Sequence, residues 1–79
     1  MWNDFGEYIY SICNKNPTNI AEVGVGKFTQ VYDYLKSKDD VNIIKIDINP
    51  ADENVIKDDI TDPNLQLYEN IDIIYSIRP

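Results

Sequence analysis

The sequence predicts a small α/β domain with a parallel β-sheet, and three observations support this fold class. Short runs rich in isoleucine and valine are separated by stretches whose apolar residues recur at the spacing of a helix. Two closely spaced glycines, Gly24 and Gly26, lie between a predicted strand and a predicted helix. The chain has 79 residues, which allows one small core. We therefore expect a single domain over residues 1–79.

A helix is predicted before the first strand. Its apolar residues are spaced by three and four positions, which is the period of an amphipathic helix. The helix must end before Pro17, because a proline disfavours helical dihedral angles at the residue before it. We expect its apolar face to pack on the rest of the domain. The residues of this face are Trp2, Phe5, Ile9 and Ile12, with Met1, Tyr8 and Cys13 beside them.

A strand–helix–strand unit follows the first helix. Residues 20–23 form a short apolar strand that Gly24 ends, and a helix is expected to begin near Lys27. Residues 41–47 form a second, aliphatic strand that ends on Asp47. Such a unit joins parallel strands through a right-handed crossover. The carboxyl ends of the two strands should therefore lie at one edge of the sheet.

The last third of the chain supplies two further predicted strands. Residues 54–57 form a short third strand, residues 58–63 an acidic turn, and a short helical turn is expected near Leu65. Residues 71–76 form a fourth strand, and the few residues after it offer no helix or strand to cover it. Because an uncovered edge strand invites pairing, we expect a homodimer or a protein partner at the fourth strand. The alternatives are that the chain is a shortened version of a longer fold, or that the amino-terminal helix covers this edge.

The composition argues against several classes of function. The formal net charge is −7 at pH 7 and histidine is absent, so no basic surface is available for direct binding of nucleic acid. No apolar run approaches the roughly 20 residues of a transmembrane helix, so no membrane association is expected. Cys13 is the only cysteine, which leaves neither an intramolecular disulfide nor a zinc-ligand pattern. We expect a cytoplasmic protein without a metal site.

The glycine loop indicates a nucleotide-like cofactor. Gly24 permits a tight turn, and Gly26 lets the backbone approach a ligand with no Cβ in the way. Glu22, just before the loop, can hold a cationic or hydrogen-bonding group. Asp47 follows Gly26 by 21 residues. That spacing is close to the roughly 20 residues between a dinucleotide glycine loop and the carboxylate that binds ribose hydroxyls.

Two common cofactor loops fit this stretch poorly. A P-loop needs G-x-x-x-x-G-K-[S/T], but Ala21 occupies the first glycine position and Phe28 replaces the hydroxyl that binds magnesium. A dinucleotide loop needs G-x-G-x-x-G, and Thr29 occupies the third glycine position, where a side chain hinders close approach of the helix to the pyrophosphate. NAD and FAD are therefore disfavoured, but they stay open as alternatives.

The stretch from Glu22 to Gly26 resembles motif I of class I S-adenosylmethionine-dependent methyltransferases, E/D-x-G-x-G. In that family an acidic residue at the end of the second strand holds the ribose hydroxyls, and here this position falls on Asp47. An acidic residue after the third strand contacts the adenine amine, which falls on Asp59 or its neighbour Asp58. The resemblance therefore implies an S-adenosylmethionine site that uses Glu22, Gly24, Gly26, Asp47 and Asp59.

Most of residues 18–79 resemble a small uncharacterised archaeal family with a Rossmann-like methyltransferase fold. This resemblance implies a shortened, three-layer half-fold. It also implies a four-stranded parallel sheet of order 3-2-1-4, together with the amino-terminal helix. The segments that carry it are residues 22–28, 47–50, 58–63 and 73–79.

The methyltransferase resemblance leads to two functional hypotheses. Residues just after the fourth strand of this fold often face the transferred methyl group, so Ser76 and Arg78 are candidates for the edge of a substrate site, and no general base is indicated. The first hypothesis is an S-adenosylmethionine-binding, methyltransferase-like protein. The second is a non-catalytic interaction module that keeps the fold and pairs through its exposed fourth strand.

Overall fold

A computed structural model describes residues 2–24, 29–50, 53–59 and 61–77 of the chain. Its elements are α1 (Trp2–Ser11), β1 (Thr18–Val23), α2 (Gln30–Lys36), β2 (Val41–Asp47), β3 (Val55–Lys57), a 3-10 helix (Leu65–Tyr68) and β4 (Ile73–Tyr75). The four strands form one sheet of order β3-β2-β1-β4, and every pair is parallel. The structure therefore confirms the predicted α/β class, the strand order and the amino-terminal helix.

β1 is the strand that links the two sides of the sheet. All six of its residues pair with β2. On its other side it pairs with β4, and the last of these pairs is Glu22 opposite Tyr75. β3 pairs with the end of β2, from Lys45 to Asp47. Because the strands are parallel, their carboxyl ends lie at one edge of the sheet, where the glycine loop begins.

The fourth strand is shorter than predicted, and Asp72 anchors the chain just before it to β1. The Asp72 N–H donates to the Asn19 C=O at 2.8 Å, and the Asp72 carboxylate accepts the Asn19 N–H at 2.9 Å. The same carboxylate forms a salt bridge of 2.8 Å with Lys15. These contacts lower the pKa of Asp72, the Asn19 N–H having the largest effect. The regular strand starts only at Ile73.

The first helix packs one face on the domain, but this face does not extend to Ile12 as predicted. Ile9 is buried, and the Phe5 ring meets the Tyr75 ring edge-on at 5.8 Å between centroids. The helix ends at Ser11, so Ile12 lies past its end and is exposed. Neither this helix nor any other in the described part of the chain is long and apolar enough to cross a membrane.

The main core lies between the two helices and one face of the sheet. Side chains alternate between faces along β1, and Ile20 lies on the face where Val31 and Leu35 pack. These three side chains are buried. Ala21 and Ile46 lie on the opposite face and are buried as well. The two central strands are thus anchored on both faces close to the edge where they end.

Candidate functional site

The end of β1 forms one wall of a cleft at the carboxyl edge of the sheet. Gly24 leaves the strand with a φ of 75°, a conformation that favours glycine. Its N–H donates to the Ile46 C=O at 2.9 Å, so the turn begins only after a last bond to β2. The second glycine of the predicted loop, Gly26, lies outside the described residues.

Asp47 ends β2 beside this turn. Its Oδ1 accepts the Asn49 N–H at 3.1 Å, which orients the carboxylate within the loop after β2. Its C=O accepts the Asp58 N–H at 3.0 Å. This second bond joins the end of β2 to the residue that follows β3. The ends of β1, β2 and β3 are therefore held together by backbone hydrogen bonds.

Asp58 and Asp59 follow β3 and have different partners. Asp58 accepts with both oxygens, from the Asn64 N–H at 3.0 Å and from the Tyr68 hydroxyl at 2.9 Å. Asp59 accepts the Thr61 hydroxyl at 2.7 Å and the Thr61 N–H at 2.9 Å, both on Oδ1. These two bonds lower the pKa of Asp59, so its carboxylate is charged at neutral pH. Both oxygens of Asp58 accept hydrogen bonds from described residues, whereas only Oδ1 of Asp59 does. Asp59 is therefore better placed than Asp58 to contact a ligand.

The strand ends enclose a cleft of about 370 Å³. Four of the predicted site residues line it, namely Gly24, Asp47, Asp59 and Ser76. The rest of its described lining is Val23, Ile48 and Asp58. Val23 and Ile48 were not predicted as site residues, although each directly adjoins one in the sequence. The cleft thus combines three carboxylates with apolar side chains.

The remaining predicted site residues do not line this cleft or cannot be placed. Arg78 lies outside the described residues. Glu22 is only 2% exposed, and its Oε1 accepts the Tyr75 hydroxyl at 2.6 Å. Burial raises the pKa of Glu22, and the bond from Tyr75 and the charge of Lys45 oppose this rise. The contact between Glu22 and Tyr75 could not be predicted from the sequence, because it depends on the register between β1 and β4.

The arrangement suits a ligand that offers hydrogen-bond donors and an apolar ring. Carboxylates accept hydrogen bonds from hydroxyl and amino groups, and Asp47 and Asp59 come from different strand ends. Val23 and Ile48 supply apolar surface to the same cleft. Within the described ranges, no group of three or more histidine, cysteine, aspartate or glutamate side chains is arranged to hold a metal ion.

Comparison with known proteins identifies the family. The profile of an uncharacterised protein family, UPF0146, matches residues 2–79. The chain belongs to the UPF0146 family. Membership in this family confirms the predicted likeness to an uncharacterised archaeal family, because relatives that match this chain come from archaea. The relation to methyltransferases stays a prediction.

Several UPF0146 relatives are longer than this chain. The UPF0146 protein of Methanothermobacter thermautotrophicus is 40% identical over 79 residues, which cover 100% of this chain and 59% of the relative. That of Methanocaldococcus jannaschii is 43% identical over 83 residues, covering 92% of this chain and 58% of the relative. That of Pyrococcus furiosus is 43% identical over 68 residues, covering 76% of this chain and 51% of the relative. The chain therefore spans little more than half the length of these relatives.

Proposed function

We propose that this protein binds S-adenosylmethionine in the cleft at the carboxyl edge of the sheet. The observation that carries the proposal is the convergence of Gly24, Asp47 and Asp59 on one cleft of about 370 Å³. These residues lie at the carboxyl ends of three different strands, and ligands of open α/β sheets bind outside the carboxyl ends of strands. The cleft lies at the lower end of the range of about 300–1,000 Å³ for small-molecule sites.

Each part of the ligand has a chemical counterpart in the cleft. We assign Asp47 to the ribose hydroxyls and Asp59 to the adenine amine, since a carboxylate accepts hydrogen bonds from both groups. Val23 and Ile48 offer apolar surface to the purine ring. Gly24 lets the ligand approach the backbone closely. Ser76 lines the same cleft and marks the edge at which a methyl acceptor would lie if the protein transfers the methyl group.

The charge of the cleft favours S-adenosylmethionine over a dinucleotide. Asp47, Asp58 and Asp59 line it, and none of its described lining residues is cationic. The sulfonium of S-adenosylmethionine is positive and is attracted by these carboxylates, whereas the pyrophosphate of NAD is negative and is repelled. We therefore expect the protein to bind S-adenosylmethionine more tightly than NAD.

Isothermal titration calorimetry tests the assignment of Asp47. We expect the protein to bind S-adenosylmethionine and Asp47→Asn to raise the Kd about tenfold or more, because a hydrogen bond to a charged group contributes about 1.5–3 kcal/mol. Asp39→Asn makes the same change in charge on an exposed residue of the loop before β2 and should leave the Kd unchanged. No binding of S-adenosylmethionine or S-adenosylhomocysteine at millimolar ligand would refute the proposal. Tighter binding of NAD than of S-adenosylmethionine would identify NAD as the cofactor instead.

A second candidate function, a non-catalytic interaction module, is favoured by one observation. β4 is an edge strand among the described strands, and Ile74 on it is 52% exposed. An edge strand with an exposed apolar side chain is a template for pairing with another chain. In this candidate the sheet would be extended through β4 by a second copy or by a different protein.

Light scattering coupled to size-exclusion chromatography tests the pairing of two copies. If two chains pair through β4, the measured mass should be about twice the monomer mass of 9.2 kDa. Ile74→Lys should then shift the protein to the monomer, because a lysine on an edge strand opposes pairing. A strictly monomeric wild type would remove the homodimer and leave only pairing with a different protein.

A further inference from the structure

A buried hydrogen bond links the two strands that border the cleft. Glu22 on β1 is 2% exposed and Tyr75 on β4 is 7% exposed. They are directly opposite each other, and the Tyr75 hydroxyl lies 2.6 Å from Glu22 Oε1. Burying a carboxylate is costly unless it is paired, so this contact is needed once Glu22 is placed in the interior.

The surroundings hold both side chains in place. Lys45 on β2 lies opposite Glu22 on its other side, and its ammonium group is 4.3 Å from the centre of the Tyr32 ring. The Phe5 ring of α1 contacts the Tyr75 ring. Asp33 of α2 is the other charged group that acts on Glu22, and it opposes ionisation. Charged or aromatic groups from α1, α2 and β2 therefore contact or act on one member of the Glu22–Tyr75 pair.

The position of the pair along the strands gives it a further role. Glu22 and Tyr75 are the last residues paired between β1 and β4. Gly24 follows Glu22 by two residues and Ser76 follows Tyr75 directly, and both line the cleft. Since β1 and β4 share only three paired positions, a side-chain bond at the last of them opposes fraying at the cleft.

We propose that Glu22 and Tyr75 are positioning residues that hold the ends of β1 and β4 together, so that Gly24 and Ser76 keep their places on the walls of the cleft. Glu22 then acts on a ligand through the strand ends and not by contact. The consequence for ligand affinity rests on the proposed binding of S-adenosylmethionine, whereas the effect on the strand ends does not.

The protonation of the pair agrees with its geometry. Burial and the bond to Glu22 raise the pKa of Tyr75, so the hydroxyl keeps its proton and remains the donor. Glu22 can accept that bond whether it is charged or neutral. The link between the strands is therefore maintained over a wide range of pH.

Hydrogen exchange of backbone amides, followed by NMR, tests the positioning role in the absence of any ligand. Tyr75→Phe removes the hydroxyl and keeps the ring. Along β1, the Asn19 C=O faces β4 and the Gly24 N–H faces β2, so by alternation the Val23 N–H faces β4. We expect Tyr75→Phe to speed exchange at Val23 by about tenfold and to change Gly24 much less. Uniform acceleration at both amides, or none, would overturn the proposal.

Two matched variants separate positioning from general loss of stability. Tyr10→Phe removes a comparable bond, from the Tyr10 hydroxyl to Asp40 at 2.9 Å, away from the cleft and should not affect Val23 selectively. Glu22→Gln retains an acceptor for Tyr75, so exchange at Val23 should stay as in the wild type. This variant also serves if Tyr75→Phe fails to fold, because fast exchange at Val23 in Glu22→Gln would contradict a role for the hydrogen bond.

Calorimetry then separates this inference from the proposed function. If the wild type binds S-adenosylmethionine, Tyr75→Phe should raise the Kd about threefold or more, and Tyr10→Phe should not. An unchanged Kd in Tyr75→Phe would overturn the effect on the ligand. A wild type that does not bind S-adenosylmethionine refutes the proposed function, and the exchange experiment still decides whether the pair holds the strand ends.

Discussion

Replacing Ile20 with alanine is expected to lower the free energy of unfolding by about 2–5 kcal/mol. Ile20 is 0% exposed, pairs with β2 and β4 at once, and belongs to the cluster beneath both helices. A cavity there removes contacts with all of these elements. Domains of this size have a total stability of about 4–12 kcal/mol, so the loss is a large fraction of it. Urea denaturation followed by circular dichroism would measure the change.

Ile74→Ala is the matched control for this experiment. It makes the same change in side chain on β4, where the isoleucine is 52% exposed, and should cost less than about 1 kcal/mol. Losses of equal size in the two variants would contradict the placement of the core on the helix side of β1.

Gly24→Val is expected to weaken binding of S-adenosylmethionine by about tenfold or more and to destabilise the fold by about 1–2 kcal/mol. The φ of 75° at Gly24 is unfavourable for a β-branched residue, which explains the loss of stability. Gly24 also lines the cleft that we assign to the ligand, so we expect a side chain at this position to reduce the space for the ligand. Calorimetry and urea denaturation would measure the two effects separately.

Gly24→Asn distinguishes the two causes. Asparagine tolerates positive φ better than valine, so this variant should keep most of its stability. Its side chain still occupies the cleft, and we expect affinity to fall as it does in Gly24→Val. If Gly24→Asn binds S-adenosylmethionine as the wild type does, close approach of the ligand to this backbone is not required.

Much of the fold could be predicted from local patterns in the sequence. Residues 41–47 are rich in valine and isoleucine and end on an aspartate, and the structure has β2 at these bounds. The predicted order of strands is also confirmed. The positions of Gly24 and Asp47 at one edge follow from the parallel strands alone, since both residues lie at carboxyl ends.

Other features depend on contacts between segments far apart in the sequence. The sequence could not show that Glu22 is buried, because its partner Tyr75 comes from the far end of the chain. Nor could it distinguish Asp58 from Asp59, which differ in the partners that the following turn gives them. The exposure of Ile12 follows from the end of α1 at Ser11, which periodicity alone does not fix.

The central place of β1 bears on the order in which the chain folds. β2 follows β1 after one short helix, whereas Tyr75 of β4 lies 53 residues after its partner Glu22. Closing a longer loop costs more chain entropy, so local pairs form more readily than distant ones. We expect β1, α2 and β2 to be largely formed in the transition state for folding while β4 is still unstructured. The cleft is then completed late, because one of its walls is formed only when β4 pairs with β1.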